Sequence, residues 1–183
     1  MVGVLLWWLI MQALAAAVLP VTWRAFRNLP DRGYAFARPL GLLLSGYALW
    51  LGGITGVLSN QRGTIVVLVV VLGAVCWALN RGQWAELLVW LRRNWRLALL
   101  HEAVFLAVFA AWAVFKAYNP EIAYTEKPME MAFLNGILRS DRFPPLDPWL
   151  SGFSISYYYF GYLLVALLTS LSGVPSSIAY NLA

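Results

Sequence analysis

Charge-free apolar runs separated by short polar segments fill most of this chain. A helix crossing a bilayer core of about 30 Å needs about 20 apolar residues, because each residue rises about 1.5 Å and backbone groups facing lipid must bond within the helix. On that measure the first span runs from Val2 to Thr22, the second from Pro39 to Leu58, the third from Thr64 to Leu79 and the fourth from Leu97 to Phe115. A fifth is predicted from Tyr157 to Leu171, and after a turn through Gly173 and Pro175 a sixth starts at Ile178. The sequence is therefore expected to be an N-terminal piece of a longer protein. The expected fold class is all-α, a multi-pass helical membrane protein of about five to six spans, with a short amphipathic helix in a long external loop.

Between Gln83 and Arg96 the period changes. Trp84, Leu87, Leu88, Leu91 and Trp95 recur at helical spacing, with Gln83, Glu86, Arg92, Arg93 and Arg96 opposite them. That pattern predicts an amphipathic helix lying in the membrane interface, with no catalytic role. His101 and Glu102 stand near the start of the fourth span, where headgroups or a partner helix are within their reach.

Composition agrees with the pattern. Hydrophobic residues make up 62% of the chain and charged residues 11%, against roughly 25% charged in a soluble domain. Ten Trp and nine Tyr suit a surface that meets lipid headgroups. The formal charge of +5 does not point to nucleic acid, because the basic residues punctuate apolar runs and form no solvated stripe. The single Cys76 has no partner for a disulfide or a thiolate metal site. The N-terminal run lacks the positive start of a secretory signal and reads as a retained span.

Arg24, Arg27, Arg32 and Arg38 fill the first loop, and Arg81, Arg92, Arg93 and Arg96 the third. The positive-inside rule puts loops 24–38 and 80–96 in the cytoplasm, the N-terminus outside and loop 118–156 external, with the plasma membrane as the expected location. Glu121, Glu126, Glu130, Asp141 and Asp147 all fall in that external loop.

The external loop carries the candidate chemistry. Asn119-Pro120 ends the fourth helix. Thr125 is placed to cap a new helix from Glu126 to Arg139, with Pro128 tolerated in its first turn. Glu126 and Glu130, four residues apart, share one face of it, and Phe133, Leu134 and Ile137 continue that face. Partial burial would push at least one of the two acids toward the range useful for proton transfer. The pair reads as a general base, as two ligands of a divalent metal ion, or as a solvated helix with its acids at the dipole-favoured end. Pro144, Pro145 and Pro148 stiffen the following segment around Asp147, with Trp149 expected at headgroup depth. Tyr157, Tyr158 and Tyr159 are predicted to open the fifth span on different sides of its helix, as an aromatic belt with a phenol left for an internal cavity.

Glu126-Lys127-Pro128-Met129, Phe133-Leu134-Asn135, Pro144-Pro145-Leu146-Asp147-Pro148-Trp149, Ser151-Gly152 and Tyr157-Tyr158-Tyr159-Phe160-Gly161 occur in order. In these words, over about Glu102 to Ala183, the chain resembles the YYY-motif membrane domain family of Chloroflexi and archaea, a domain of unknown function. The expected division is residues 1–96, three N-terminal spans with the interfacial helix, and 97–183, the start of the YYY-type domain.

The layout of span, acidic external loop, short helix, proline-rich segment and span is also similar to C-type membrane glycosyltransferases. That resemblance implies a polyprenyl-phosphate sugar as donor and transfer to an acceptor at the outer membrane face. It departs from the family pattern in having Glu126-Lys127 in place of Asp-Glu, and three extra spans in front. It implies Glu126 or Glu130 as base, Lys127, Arg139 and Arg142 as cations for the leaving phosphate, and Asp147, Trp149 and Tyr157 to Tyr159 as contacts for sugar, phosphate or a divalent ion. The alternative is a non-catalytic membrane component, a lipid or glycan carrier or a transporter subunit. A transporter would place polar groups or broken helices at mid-membrane, whereas Gly52, Gly53 and Gly56 read as close helix packing.

Overall fold

The computed structural model describes residues 2–183. Its elements are α1 (Val2–Ala25), α2 (Ala37–Ile54), α3 (Arg62–Leu79), a 3-10 turn at Arg81–Gln83, α4 (Trp84–Arg93), α5 (Trp95–Tyr118), α6 (Lys127–Arg139), α7 (Phe160–Ser172) and α8 (Ser176–Leu182). Among the described residues the one extended pairing is an isolated bridge between Leu146 and Ser154.

Three helices, α1, α3 and α5, are long and apolar enough to cross a membrane, with mean hydropathies of 2.2, 2.2 and 2.0. They contain the first, third and fourth predicted spans. The all-helical membrane architecture expected from the apolar runs is therefore present.

α1, α2 and α3 form the centre of the molecule, where Trp7, Leu14, Leu49 and Ile65 are buried together. Small residues let the backbones approach: a Cβ on Gly41 would lie 2.4 Å from the Leu14 carbonyl oxygen. Pro20 sits inside α1 without ending it. Its missing N–H leaves the Ala16 carbonyl without a helical donor, and the Trp77 indole of α3 donates to that oxygen at 2.9 Å. The pair satisfies a backbone group that lipid cannot.

The second and fifth predicted spans differ from the pattern. α2 stops at Ile54, and the chain turns through Gly56, whose φ is +76°. Gly52 and Gly53 do allow close packing, but against the Leu58 side chain and the Phe143 ring of a loop rather than against another helix. α7 begins at Phe160, so Tyr157 to Tyr159 precede the helix instead of opening it. Its 13 residues extend about 20 Å, short of the roughly 30 Å of a bilayer core.

The contacts of α7 agree with its length. At its start Tyr159 accepts a hydrogen bond from Trp50 Nε1 at 2.9 Å. At its end Ser172 accepts one from Trp7 Nε1 at 3.2 Å, and Arg62 donates to the Leu171 carbonyl at 3.1 Å. Trp7, Trp50 and Arg62 all belong to the same end of the α1–α2–α3 bundle, so α7 lies across that end. α6 buries Phe133, Leu134 and Ile137 and packs on α7 there, with α8 beside it. This is the loop end; loops 24–38 and 80–96 share the other, arginine-rich end.

The predicted amphipathic helix is α4, with Leu87 buried and Asn94 separating it from α5. No residue of α5 is buried.

Candidate functional site

At the loop end the chain leaves α5 through Asn119-Pro120 and enters α6 after two residues with positive φ, Tyr124 at 66° and Thr125 at 54°. Thr125 is therefore not the cap. Glu126 precedes the helix in helical conformation, no side chain caps the N-terminus, and Pro128 occupies the first turn.

One turn later Glu130 points at two phenols. It accepts a hydrogen bond from Tyr180 of α8, and Tyr162 of α7 donates to it at 3.5 Å. α5 supplies the opposite wall through Trp112 and Lys116, the ammonium lying 5.1 Å from the Trp112 ring centroid. Together with Leu134 and Val165 these side chains line a cavity of about 260 Å³. A carboxylate, two phenols and an ammonium on a half-buried apolar wall can hold a hydroxyl, take its proton and bind an anion.

Glu126, the other acid of that face, is exposed. It lies near enough to Tyr157 for its charge to help hold that phenol up at about 12, an effect led by the hydrogen bond to Tyr158. The Tyr157 hydroxyl donates to Tyr158 at 2.8 Å, and the two rings stack with centroids 4.0 Å apart. With Tyr47, Trp50, Tyr159 and Phe160 they line a second, aromatic cavity of about 380 Å³. Phe133 stands between the two groups, its ring 5.8 Å from Tyr157 and 5.9 Å from Tyr162.

The remaining predicted site residues lie apart from Glu130. Asp147 Oδ1 accepts the backbone N–H groups of Trp149 and Leu150 at 2.8 and 3.0 Å, which closes its own turn. Trp149 is exposed, with its ring 6.1 Å from Phe133. Lys127 donates to the Glu121 carbonyl at 3.3 Å. Arg139 is exposed, and the Arg142 guanidinium lies beside Gly56. Among the described residues no three His, Cys, Asp or Glu side chains come together, so Glu126 and Glu130 have no third such ligand to build a metal site with.

Sequence reasoning missed Lys116, Tyr162 and Tyr180. The signal for Lys116 was a lone cation in the last turn of an apolar helix; Tyr180 is 50 residues from Glu130 and gave none. It also missed a second polar group, at the arginine-rich end. Arg38, placed in a solvated loop by its charge, is 5% exposed. It pairs with Glu102 of α5, donates to Gln12 at 3.1 Å, and lies 4.2 Å over the Phe105 ring. Tyr34 donates to Glu102 at 2.8 Å, and burial followed by that contact pushes its phenol up to about 12. Of the two roles open to Glu102, the structure shows the partner helix.

A family model described as "Uncharacterized membrane protein (DUF2298)" matches residues 44–183, from within α2 to the last residue. No curated protein and no solved structure matches the chain.

Proposed function

We propose a function for a chain that belongs to the DUF2298 family of uncharacterized membrane proteins: transfer of a sugar from a polyprenyl-phosphate donor to an acceptor hydroxyl at the outer membrane face, with Glu130 as the general base. The family and the apolar helices make it an integral membrane protein. The observation that carries the reading is the cavity where Glu130, two phenols and Lys116 meet at the loop end, which in this reading faces outward.

The chemistry requires the acceptor O–H to give its proton to the Glu130 carboxylate as its oxygen bonds to the sugar C1. As that bond forms, the C1–O bond to phosphate breaks, and the polyprenyl phosphate leaves with the electron pair. Lys116 offers a positive charge to that phosphate, and Tyr162 and Tyr180 offer phenolic donors. Lys127, Arg139 and Arg142 keep a role in drawing an anionic headgroup to this end of the molecule. The aromatic faces of Tyr157 and Tyr158 suit the C–H face of a sugar ring, Tyr159 braces them through Trp50, and Trp149 flanks Phe133. Glu126, at the mouth of the same helix face, is the second acid available to the acceptor, and Asp147 shapes the turn that packs beside Gly136 of α6.

The isosteric Glu130→Gln change is expected to lower transfer from a radiolabelled polyprenyl-phosphate sugar in reconstituted vesicles by about 10²- to 10⁴-fold without altering the helical circular dichroism spectrum. Full activity in that variant would overturn the assignment of the base, and the Glu126→Gln variant measured beside it separates the two acids.

A further inference from the structure

α4 is a ten-residue helix held between two membrane-spanning helices, and only Leu87 of it is buried. α3 ends at Leu79 just before it and α5 begins at Trp95 just after it. It therefore lies at the depth where both spans leave the hydrocarbon. The Trp84 indole donates to the Trp77 carbonyl at 2.9 Å, which fixes the helix against the end of α3. Trp84, Leu88 and Trp95 are 42%, 50% and 55% exposed, a surface that needs hydrocarbon or an interface to cover it.

Four arginines surround that apolar face. Arg81 precedes the helix, Arg92 and Arg93 end it, Arg96 follows, and all four are exposed. Among the described residues two of the three carboxylates at this end are engaged elsewhere: Glu102 pairs with Arg38, and Asp31 accepts the N–H groups of Gly33 and Ala35 and lies 3.8 Å from His101. Glu86 is the one acid on α4 itself. Four exposed guanidinium groups against one exposed carboxylate are thus left on α4 and its flanks, beside exposed apolar side chains, with that of Arg96 5.6 Å from the Trp95 ring centroid.

One partner supplies both halves of what this surface lacks: hydrocarbon for the tryptophan and leucine side chains, and phosphate for the arginines. We infer that α4 and its flanking arginines form a binding site for anionic phospholipid in the leaflet at the arginine-rich end. Guanidinium binds phosphate bidentately, which a zwitterionic headgroup only partly rewards, since its own ammonium neutralises the phosphate. This site lies at the opposite end of the bundle from Glu130 and does not depend on the proposed transfer reaction.

The test uses the full chain purified in a non-ionic detergent, titrated with phosphatidylglycerol or phosphatidylcholine, with retained lipids counted by native mass spectrometry. Phosphatidylglycerol is expected to be retained preferentially, and the preference to shrink as salt is raised. Each arginine removed is expected to weaken it by about fivefold, so the R81Q/R92Q/R93Q/R96Q variant loses most of it. If that variant does not fold, R92Q/R93Q alone carries the test, with a loss of about 25-fold expected. Equal retention of the two lipids by the unaltered chain would overturn the inference. So would a preference that survives these changes and falls only in an R24Q/R27Q variant.

Discussion

Arg38 and Glu102 show how one residue's surroundings reverse the reading of its charge. An arginine at the start of a helix in a basic loop is ordinarily solvated, yet here Gln12, Glu102 and the Phe105 ring enclose it. Removing the half-buried carboxylate leaves the buried Arg38 charge uncompensated, so Glu102→Ala is expected to cost about 3–5 kcal/mol, read by unfolding in detergent. The double change of Arg38→Met with Glu102→Met is expected to recover most of that loss. A double variant no more stable than the single one would show that the pair does more than neutralise itself. The pair was illegible in the sequence because its members stand on different helices, and only packing brings them together. Glu130 was legible as a candidate from its spacing to Glu126 and its apolar face; its partners Tyr162, Tyr180 and Lys116 were not, for the same reason.

At the scale of elements, helix positions followed the apolar runs closely, since a span must satisfy its own backbone whatever surrounds it. α1, α3 and α5 follow from that requirement. Where a helix breaks the rule locally, another element repairs it. Trp77→Phe removes the donor that Pro20 makes necessary, and an unsatisfied carbonyl in hydrocarbon costs about 1–3 kcal/mol. In a Pro20→Ala background, where residue 20 again has an N–H, the same Trp77→Phe change is expected to cost much less. Equal losses in both backgrounds, measured by unfolding in detergent, would mean the indole acts through packing alone. Helix starts were less legible: Thr125 has the chemistry of a cap, but its left-handed backbone points the chain elsewhere, and a capping residue fixes nothing unless the preceding chain delivers it in extended conformation.

The whole molecule is three long apolar helices with α2 among them, and a layer of short helices covering the loop end. α7 belongs to that layer, and the consequence is topological. With Cys76 replaced by Ala, cysteines at Ser151 and Ser177, before and after α7, are expected to react with a membrane-impermeant maleimide from the same side of sealed vesicles. Labelling from opposite sides would mean that α7 crosses. The sequence alone determined that the chain is helical and belongs in a membrane, where its longest helices lie and which loops share an end, because hydrocarbon imposes length and apolarity on each span separately. The tertiary structure alone decided that α7 lies across the bundle, that Glu130 meets Tyr162, Tyr180 and Lys116, and that Arg38 is buried against Glu102. These are contacts between elements distant in sequence, set by which surfaces fit together, and a local pattern carries no record of that fit.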